Sequence, residues 1–152
     1  MAVSNSHLWY QQNATTPAYE GAFVARNTGD KIIAIDTIEI RSGLTNFNAW
    51  EASTTITPTA AQLTAQYTWR AAVGGHAAGT TTTYNVDGAG TNVALTAQSG
   101  PISLTPGQSV IVYFSLPAAQ TLLTSADVGA SATMKITAGQ ITSVQTVSLA
   151  KA

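Results

Sequence analysis

The chain has 152 residues, a net charge of −1, no cysteine and only 9% charged residues. A chain of this length can bury a hydrophobic core as one domain, and without cysteine it has neither thiolate chemistry nor cysteine-ligated metal sites. Its six Lys and Arg residues are scattered singly, so we expect no nucleic-acid binding. A low net charge gives little repulsion between copies, which favours self-association.

Residues 1–17 are predicted to form an N-terminal arm or first strand, and residues 18–152 a β-sandwich domain. Leu8, Trp9 and Tyr10, with His7 beside them, are the apolar cluster of the arm. The N-terminus lacks a basic stretch followed by an apolar core, so no signal peptide is expected. No window approaches 18 consecutive apolar residues, so no membrane span is expected in this chain.

One N-x-[ST] triplet occurs in the chain, at Asn13-Ala14-Thr15. Triplets of this kind accept N-linked glycans in exported proteins. Asn13 is therefore the candidate glycosylation site, and surface glycans are candidate partners.

The strongest strand pattern runs from Ala22 to Ile40, as two β-branched and aromatic runs joined at Asn27-Thr28-Gly29-Asp30. Asn, Gly and Asp supply positive φ and side-chain hydrogen bonds to the backbone, as a tight reversal requires. The sequence therefore predicts a β-hairpin here. In the second run, predicted as a strand over 31–41, isoleucines fall on both faces, so we expect burial on more than one face.

The middle of the chain is predicted to be β-structure as well. Residues 44–51, which contain Phe47 and Trp50, form a brief strand or a packed loop. Over 63–73, leucine, alanine and aromatic residues alternate with polar ones, which favours a half-buried strand. A helix over 60–72 is the alternative, because Ala and Gln are good helix formers.

The C-terminal half predicts two hairpins and one internal strand. They are the hairpin 80–98 with its turn at Asp87-Gly88, the strand 109–116 after the turn 105–108, and the hairpin 132–149 with its turn at 138–140. With the strands before them, this makes about nine strands separated by turn residues. The predicted fold is all-β, a single antiparallel Greek-key sandwich of immunoglobulin-like type.

No pattern in the sequence predicts a catalytic, cofactor-binding or metal-binding site. Asp36 and Glu39 are three apart on a predicted strand, so their side chains leave on opposite faces. His7 and His76 lack further ligands at metal-binding spacing, and the loop 87–90 offers calcium only one carboxylate. We therefore expect a non-enzymatic protein that needs no cofactor.

The three tryptophans allow two interpretations, core packing or stacking on sugar rings. Trp69 lies in a strict alternation with Leu63 and Tyr67, which favours the core. Trp9 and Trp50 lie near the ends of their segments and are more open to a surface role. Exposed aromatic residues on a β-sandwich would suit a carbohydrate-binding module.

A resemblance to a known family rests on three segments of the chain. They are FVARNTGDKIIAIDTIEI at 23–40, LTPGQSVIVYFSLP at 104–117, and TSADVG at 124–129 followed by two strands rich in Thr and Val. Over residues 20–149 the chain resembles the globular β-sandwich domain of archaeal type IV pilin-like proteins, the class that includes archaellins and adhesion pilins.

The resemblance implies assembly into a filament, with one departure from the family pattern. Such pilins pack an N-terminal hydrophobic helix into the filament core, and that helix is absent here. The chain would then be the soluble domain of such a pilin, or a subunit of archaeal filaments in which each copy gives its N-terminal segment as a strand to the next. In the second case residues 3–17 are the donor, and Leu8, Trp9 and Tyr10 are its anchors.

The predicted function is therefore that of a structural subunit of an extracellular or cell-surface filament, built from identical copies of the chain. A carbohydrate- or surface-binding module of a larger exported protein is the alternative from another class. A viral or phage coat or tail protein is a further structural alternative.

Overall fold

A computed structural model describes residues 1–11, 18–41, 43–45, 47, 50–54, 82–85, 92–117 and 125–151 of the chain. These residues form twelve strands, a short 3₁₀ turn at Ser125–Asp127 and no α-helix. The strands are β1 (Ala2–Gln11), β2 (Ala18–Arg26), β3 (Ile33–Ile35), β4 (Thr37–Ile40), β5 (Gly43–Leu44), β6 (Trp50–Ser53), β7 (Thr82–Asn85), β8 (Asn92–Ala97), β9 (Ile102–Leu104), β10 (Ser109–Pro117), β11 (Ser131–Ala138) and β12 (Ile141–Lys151). The all-β class predicted from the sequence is confirmed.

Ten of these strands form one sheet, in the order β5-β4-β11-β12-β1-β2-β10-β6-β8-β7. The remaining two, β3 and β9, pair with each other in a small second sheet. Among the described strands, β1 and β12 are the one parallel pair, and every other pair is antiparallel.

The large sheet curls around a hydrophobic core that its described strands share. Six inter-strand steps separate β4 from β6, which in a flat sheet would place them about 29 Å apart. Yet Ile38 of β4 and Trp50 of β6 belong to one buried cluster. Thr45 joins them, because its backbone N–H donates to the carbonyl of Ile38 and its hydroxyl accepts a hydrogen bond from the Trp50 indole. The two ends of the sheet therefore face each other.

The predicted hairpin over 22–40 is wrong. β2 pairs with β1 and β10, whereas β3 pairs with β9 in the other sheet, so the two predicted arms never pair with each other. The turn between them carries the chain from the large sheet to the small one. Its Asn27 makes hydrogen bonds to a distant turn, as described below, and this replaces the predicted arm-to-arm pairing.

The single strand predicted over 31–41 is interrupted at Asp36. On one side of it β3 belongs to the small sheet, and on the other β4 pairs with β11 and β5 in the large one. The backbone N–H of Asp36 donates to the carbonyl of Thr137, which anchors the corner between the two sheets. With β5 and β6 both forming within 43–53, this split gives more strands than the nine predicted.

Two of the other predicted pairings are confirmed. β7 pairs with β8 as the second hairpin requires, although its turn lies outside the described residues. β11 and β12 form the last hairpin around Gly139, which has φ of +62°.

β10 is buried on both faces over 110–114, as its pattern predicts. The segment predicted over 63–73, with Trp69, lies outside the described residues.

Candidate assembly site

The first strand lies between two strands from opposite ends of the described chain. β1 pairs antiparallel with β2, from Ala2 opposite Arg26 to Gln11 opposite Ala18. Its other edge pairs parallel with β12, through Leu8 opposite Leu149, Trp9 opposite Ala150 and Tyr10 opposite Lys151. Removing β1 would therefore open the edges of both neighbouring strands.

The three predicted anchor residues lie in the part of β1 that is paired on both edges. Leu8 is 1% exposed and belongs to the core cluster. Trp9 points to the opposite face, is 4% exposed, and stacks on the ring of His7 with 5.2 Å between ring centroids. Tyr10 is half-buried and packs against the core. Burying a large apolar side chain contributes about 2–3 kcal/mol, so these residues hold β1 in its sheet.

The first part of β1 is attached less completely. The register with β2 shifts between Ser4 and His7, and Asn5 has φ of +50°. Pairing with β12 begins only at Leu8. The hydroxyl oxygen of Ser6 is buried and has no hydrogen-bond partner, which is unfavourable for a buried polar group. β1 therefore leaves β12 at this bulge and continues along β2 alone.

The second face of the central strands is buried too, and it carries ionisable groups that the sequence analysis missed. Glu20 and Glu51 are both 0% exposed, and Tyr113 is nearly as buried. Glu20 lies opposite Trp9 across β1 and β2, and Glu51 lies opposite Tyr113 across β6 and β10. Burial raises the pKa of Tyr113 and lowers that of the half-buried His7, because desolvation disfavours the charged form.

The sequence contains a pattern that indicates the burial of these two carboxylates. Each stands between apolar or small residues inside a short strand, as in Tyr19-Glu20-Gly21-Ala22. A glutamate in such a position is buried when its strand is covered on both faces. The apolar pattern of β10 predicts a doubly covered strand, and β2 and β6 are the neighbours of β10 in the sheet.

Asn27 joins two of the segments that carry the family resemblance. Its side-chain amide donates to the carbonyls of Lys31 and Leu104 at 2.7 and 2.9 Å, and its side-chain oxygen accepts from Gly29 N–H. Its backbone exchanges hydrogen bonds with Gly107 and Gln108. The N-T-G-D turn and the T-P-G-Q turn are therefore locked together around one buried residue.

Arg41, the residue directly after the first segment, contacts the third. Its guanidinium lies 3.4 Å from the Asp127 carboxylate and donates to the carbonyl of Ser131 at 2.9 Å. Asp127 belongs to the 3₁₀ turn inside T-S-A-D-V-G. A partly exposed ion pair of this kind contributes little to stability, but the contact positions the turn that leads into β11.

A groove of about 500 Å³ opens near the ends of the curled sheet. It is lined by Asp36, Thr37, Leu44, Thr45, Phe47, Gln98 and Ser99. The ring of Phe47 packs edge-to-face on Trp50, with 4.9 Å between centroids. The groove thus combines an aromatic ring with one carboxylate, one amide and three hydroxyls, and a volume in the range of small-molecule sites.

The surface interpretation of two tryptophans is wrong. Trp9 and Trp50 are both buried, Trp50 completely, because each lies on a central strand of the curled sheet and not at a loop.

Asp36 and Glu39 do not form a pair. Asp36 accepts hydrogen bonds from Thr37 and Gly139, whereas Glu39 lies 4.0 Å from Lys135.

Several other predicted positions lie outside the described residues, namely Asn13, His76 and the loop 87–90. Across the described ranges, no three His, Asp or Glu residues lie close enough together to hold a metal ion. In the same part of the chain, no helix has the length and hydropathy to cross a membrane.

Comparison with known proteins gives no family for this chain. No model of a known protein family matches it, and no curated protein matches it significantly in sequence.

Proposed function

We propose that this protein is a non-enzymatic structural subunit of an extracellular, archaeal surface filament, and that copies assemble by exchange of β1. In this proposal the curled sheet is an immunoglobulin-like Greek-key sandwich that is completed by one strand. The filament is a pilus-like assembly of identical subunits on the cell surface.

The observation that carries the proposal is the place of β1 between β2 and β12. A strand held by backbone pairing on two edges can be replaced by the same strand of another copy, because the same hydrogen bonds and side-chain contacts form. Residues 12–17 separate β1 from β2 in the sequence. If β1 docks into a neighbour, these residues span the gap between subunits.

Anchor residues give the exchanged strand its register. Leu8 enters the core opposite Gly21, and Trp9 enters the opposite face one residue later. Because successive side chains point to opposite faces, a slip by one residue would turn Trp9 toward the core and Leu8 away from it. The donor therefore fits in one register only.

Composition supports the proposal as well. Only 9% of residues are charged and the net charge is −1, so copies meet with little repulsion. The described outward positions of β11 and β12 carry hydroxyl side chains at Ser131, Thr133, Thr137, Thr142, Thr146 and Ser148. A surface rich in hydroxyl groups, with the charge of Lys135 placed beside Glu39, suits a subunit that is covered by its own copies.

Deletion of residues 1–17 tests this function. The truncated chain should not form filaments in negative-stain electron microscopy, and a synthetic peptide of residues 1–11 should bind it and restore the stability of the full chain. A matched peptide carrying Leu8→Lys should not bind, because the charge would enter the core. Filaments that form equally well without residues 1–17 would contradict the proposal.

A carbohydrate-binding module is the second candidate function, and the groove beside Phe47 favours it. Sugar rings combine an apolar face with many hydroxyls, which matches a phenyl ring among Asp36, Gln98 and the threonine hydroxyls. Because Phe47 contacts Trp50, ligand binding should change tryptophan fluorescence. Titration on a glycan array should then show binding that Gln98→Ala weakens and Gln108→Ala, outside the groove, leaves unchanged.

A further inference from the structure

One edge of β12 lies without a strand partner among the described strands. Over residues 141–148, β12 pairs with β11 on one side. On the other side β1 joins it only from Leu149 onward, because β1 turns away at the bulge before Leu8. Among the described strands, the edge of residues 141–148 that faces away from β11 is therefore open over the length of an ordinary strand.

The backbone groups on this edge can be assigned. Leu149 exchanges hydrogen bonds with Gly129 and Ala130, so its N–H and C=O point to the β11 side. Along a strand these groups alternate between the two edges. The N–H and C=O of Thr142, Val144, Thr146 and Ser148 therefore point to the open edge.

This edge lacks the usual protection against pairing. Natural edge strands carry Lys, Pro, bulges or inward charges that block contact with other strands. The segment Ile141–Ser148 reads I-T-S-V-Q-T-V-S, without charge or proline. Val144 is 59% exposed and Ile141 41%, and Lys135 beside Val144 lies next to Glu39. Two copies would thus meet at this edge without unpaired charge.

We propose that β12 pairs antiparallel with β12 of a second copy, around a two-fold axis at Val144. In this register each side chain lies opposite one of similar chemistry. Val144 lies opposite Val144, Thr142 opposite Thr146, Ser143 opposite Gln145, and Ile141 opposite Val147. Aliphatic, threonine and hydrogen-bonding pairs of this kind stabilise adjacent strands, and a shift of two residues in either direction breaks these matches.

The backbone fits the same register. Thr142, Val144 and Thr146 pair only with one another, which gives about six hydrogen bonds across the two-fold axis. The strands β5-β4-β11-β12 then continue into the same strands of the second copy as one sheet. This contact is separate from β1 exchange, because a two-fold contact closes after two copies whereas strand donation continues along a chain.

Single cysteines in the full chain, which has none of its own, test the contact. Paired residues across the axis should have Cα atoms about 5.5 Å apart, within reach of a disulfide. Val144→Cys should give covalent dimers on a non-reducing denaturing gel after mild oxidation. Thr133→Cys is the matched control, since it is exposed on the same face of β11 but, opposite Thr146, would lie about 20 Å from its copy. Equal, slow cross-linking of the two variants would overturn the proposal.

The register has its own test. Thr142→Cys and Thr146→Cys should each cross-link poorly alone, whereas a mixture of the two should give dimers as readily as Val144→Cys. In sedimentation velocity, Val144→Lys should remove the dimer because like charges would lie directly opposite each other, and Thr133→Lys should keep it. Loss of the dimer in both lysine variants, or no gain from mixing the cysteine variants, would contradict the pairing.

Discussion

The ring of Phe114 fills the space beside Gly21 where any other residue would have a side chain. A Cβ built on Gly21 would lie 2.7 Å from Cε1 and 2.9 Å from Cε2 of that ring. Gly21 is paired with Phe114 on one edge and with Leu8 on the other. The close approach thus occurs where β1 enters the sheet.

Gly21→Ala should destabilise the fold by about 2–3 kcal/mol, because the added methyl group forces the buried ring to move. Urea unfolding measures this. Gly100→Ala is the control, since no atom lies within 4 Å of a Cβ there, and a change within about 0.5 kcal/mol is expected. Equal stability of the Gly21→Ala variant and the unmodified chain would show that the ring relaxes freely.

Asn27→Ala should cost about 2–3 kcal/mol. The substitution removes the side-chain amide that donates hydrogen bonds to the carbonyls of Lys31 and Leu104. A buried polar group without a hydrogen-bond partner destabilises the folded state. Thr28→Ala, one residue along the same turn and exposed, should change stability by less than about 0.5 kcal/mol.

Asn27→Asp removes the amide donor while it keeps the size of the side chain, and so tests the hydrogen bonds alone. A carboxylate has nearly the same shape but cannot donate to two carbonyls. It should therefore be at least as destabilising as alanine at neutral pH, and less so in acid, where the carboxyl group gains a proton. An aspartate variant as stable as the unmodified chain would contradict the role given to the amide.

His7 should make the docking of β1 sensitive to acid. Burial lowers its pKa in the folded chain below the ordinary value of 6.5, so the unfolded chain takes up the proton more readily. The contribution of His7 to the free energy of unfolding is therefore complete above about pH 6.5 and decreases as the pH falls. Hydrogen exchange of β1 amides should accelerate between pH 7 and pH 5, after correction for the intrinsic rate.

His7→Gln is the control for that measurement, because glutamine does not titrate. The corrected acceleration should disappear in this variant. Identical pH dependence of exchange in the variant and the unmodified chain would show that a group other than His7 causes the acid sensitivity.

Sequence patterns predict the strands of this fold better than their pairing. Val110–Phe114 is apolar at every position, and burial on both faces follows directly from that. Gly139 marks the last hairpin because the turn requires positive φ. Asn27 and Gly29 mark a turn equally well, but a turn signal does not state which edges meet after it, and here the two arms enter different sheets.

The candidate site depends on long-range pairing in the same way. Leu8, Trp9 and Tyr10 are recognisable as an apolar cluster, but their position beside Leu149 depends on a parallel pair formed across the whole chain. The position of Trp50 near a segment end leaves it open to a surface role, and curling of the sheet buries it. Glu20 and Glu51 were passed over because polar residues are ordinarily exposed.

A disulfide between β1 and β2 tests β1 exchange most directly. Ala2 and Arg26 are exposed and lie opposite each other, so Ala2→Cys with Arg26→Cys can form a bond where the strand docks. The double variant is refolded at high concentration, oxidised after assembly, and run on a non-reducing denaturing gel. We predict a ladder of covalent oligomers, because β1 of each copy lies against β2 of the next. Monomers closed by an internal disulfide at every concentration would contradict the account.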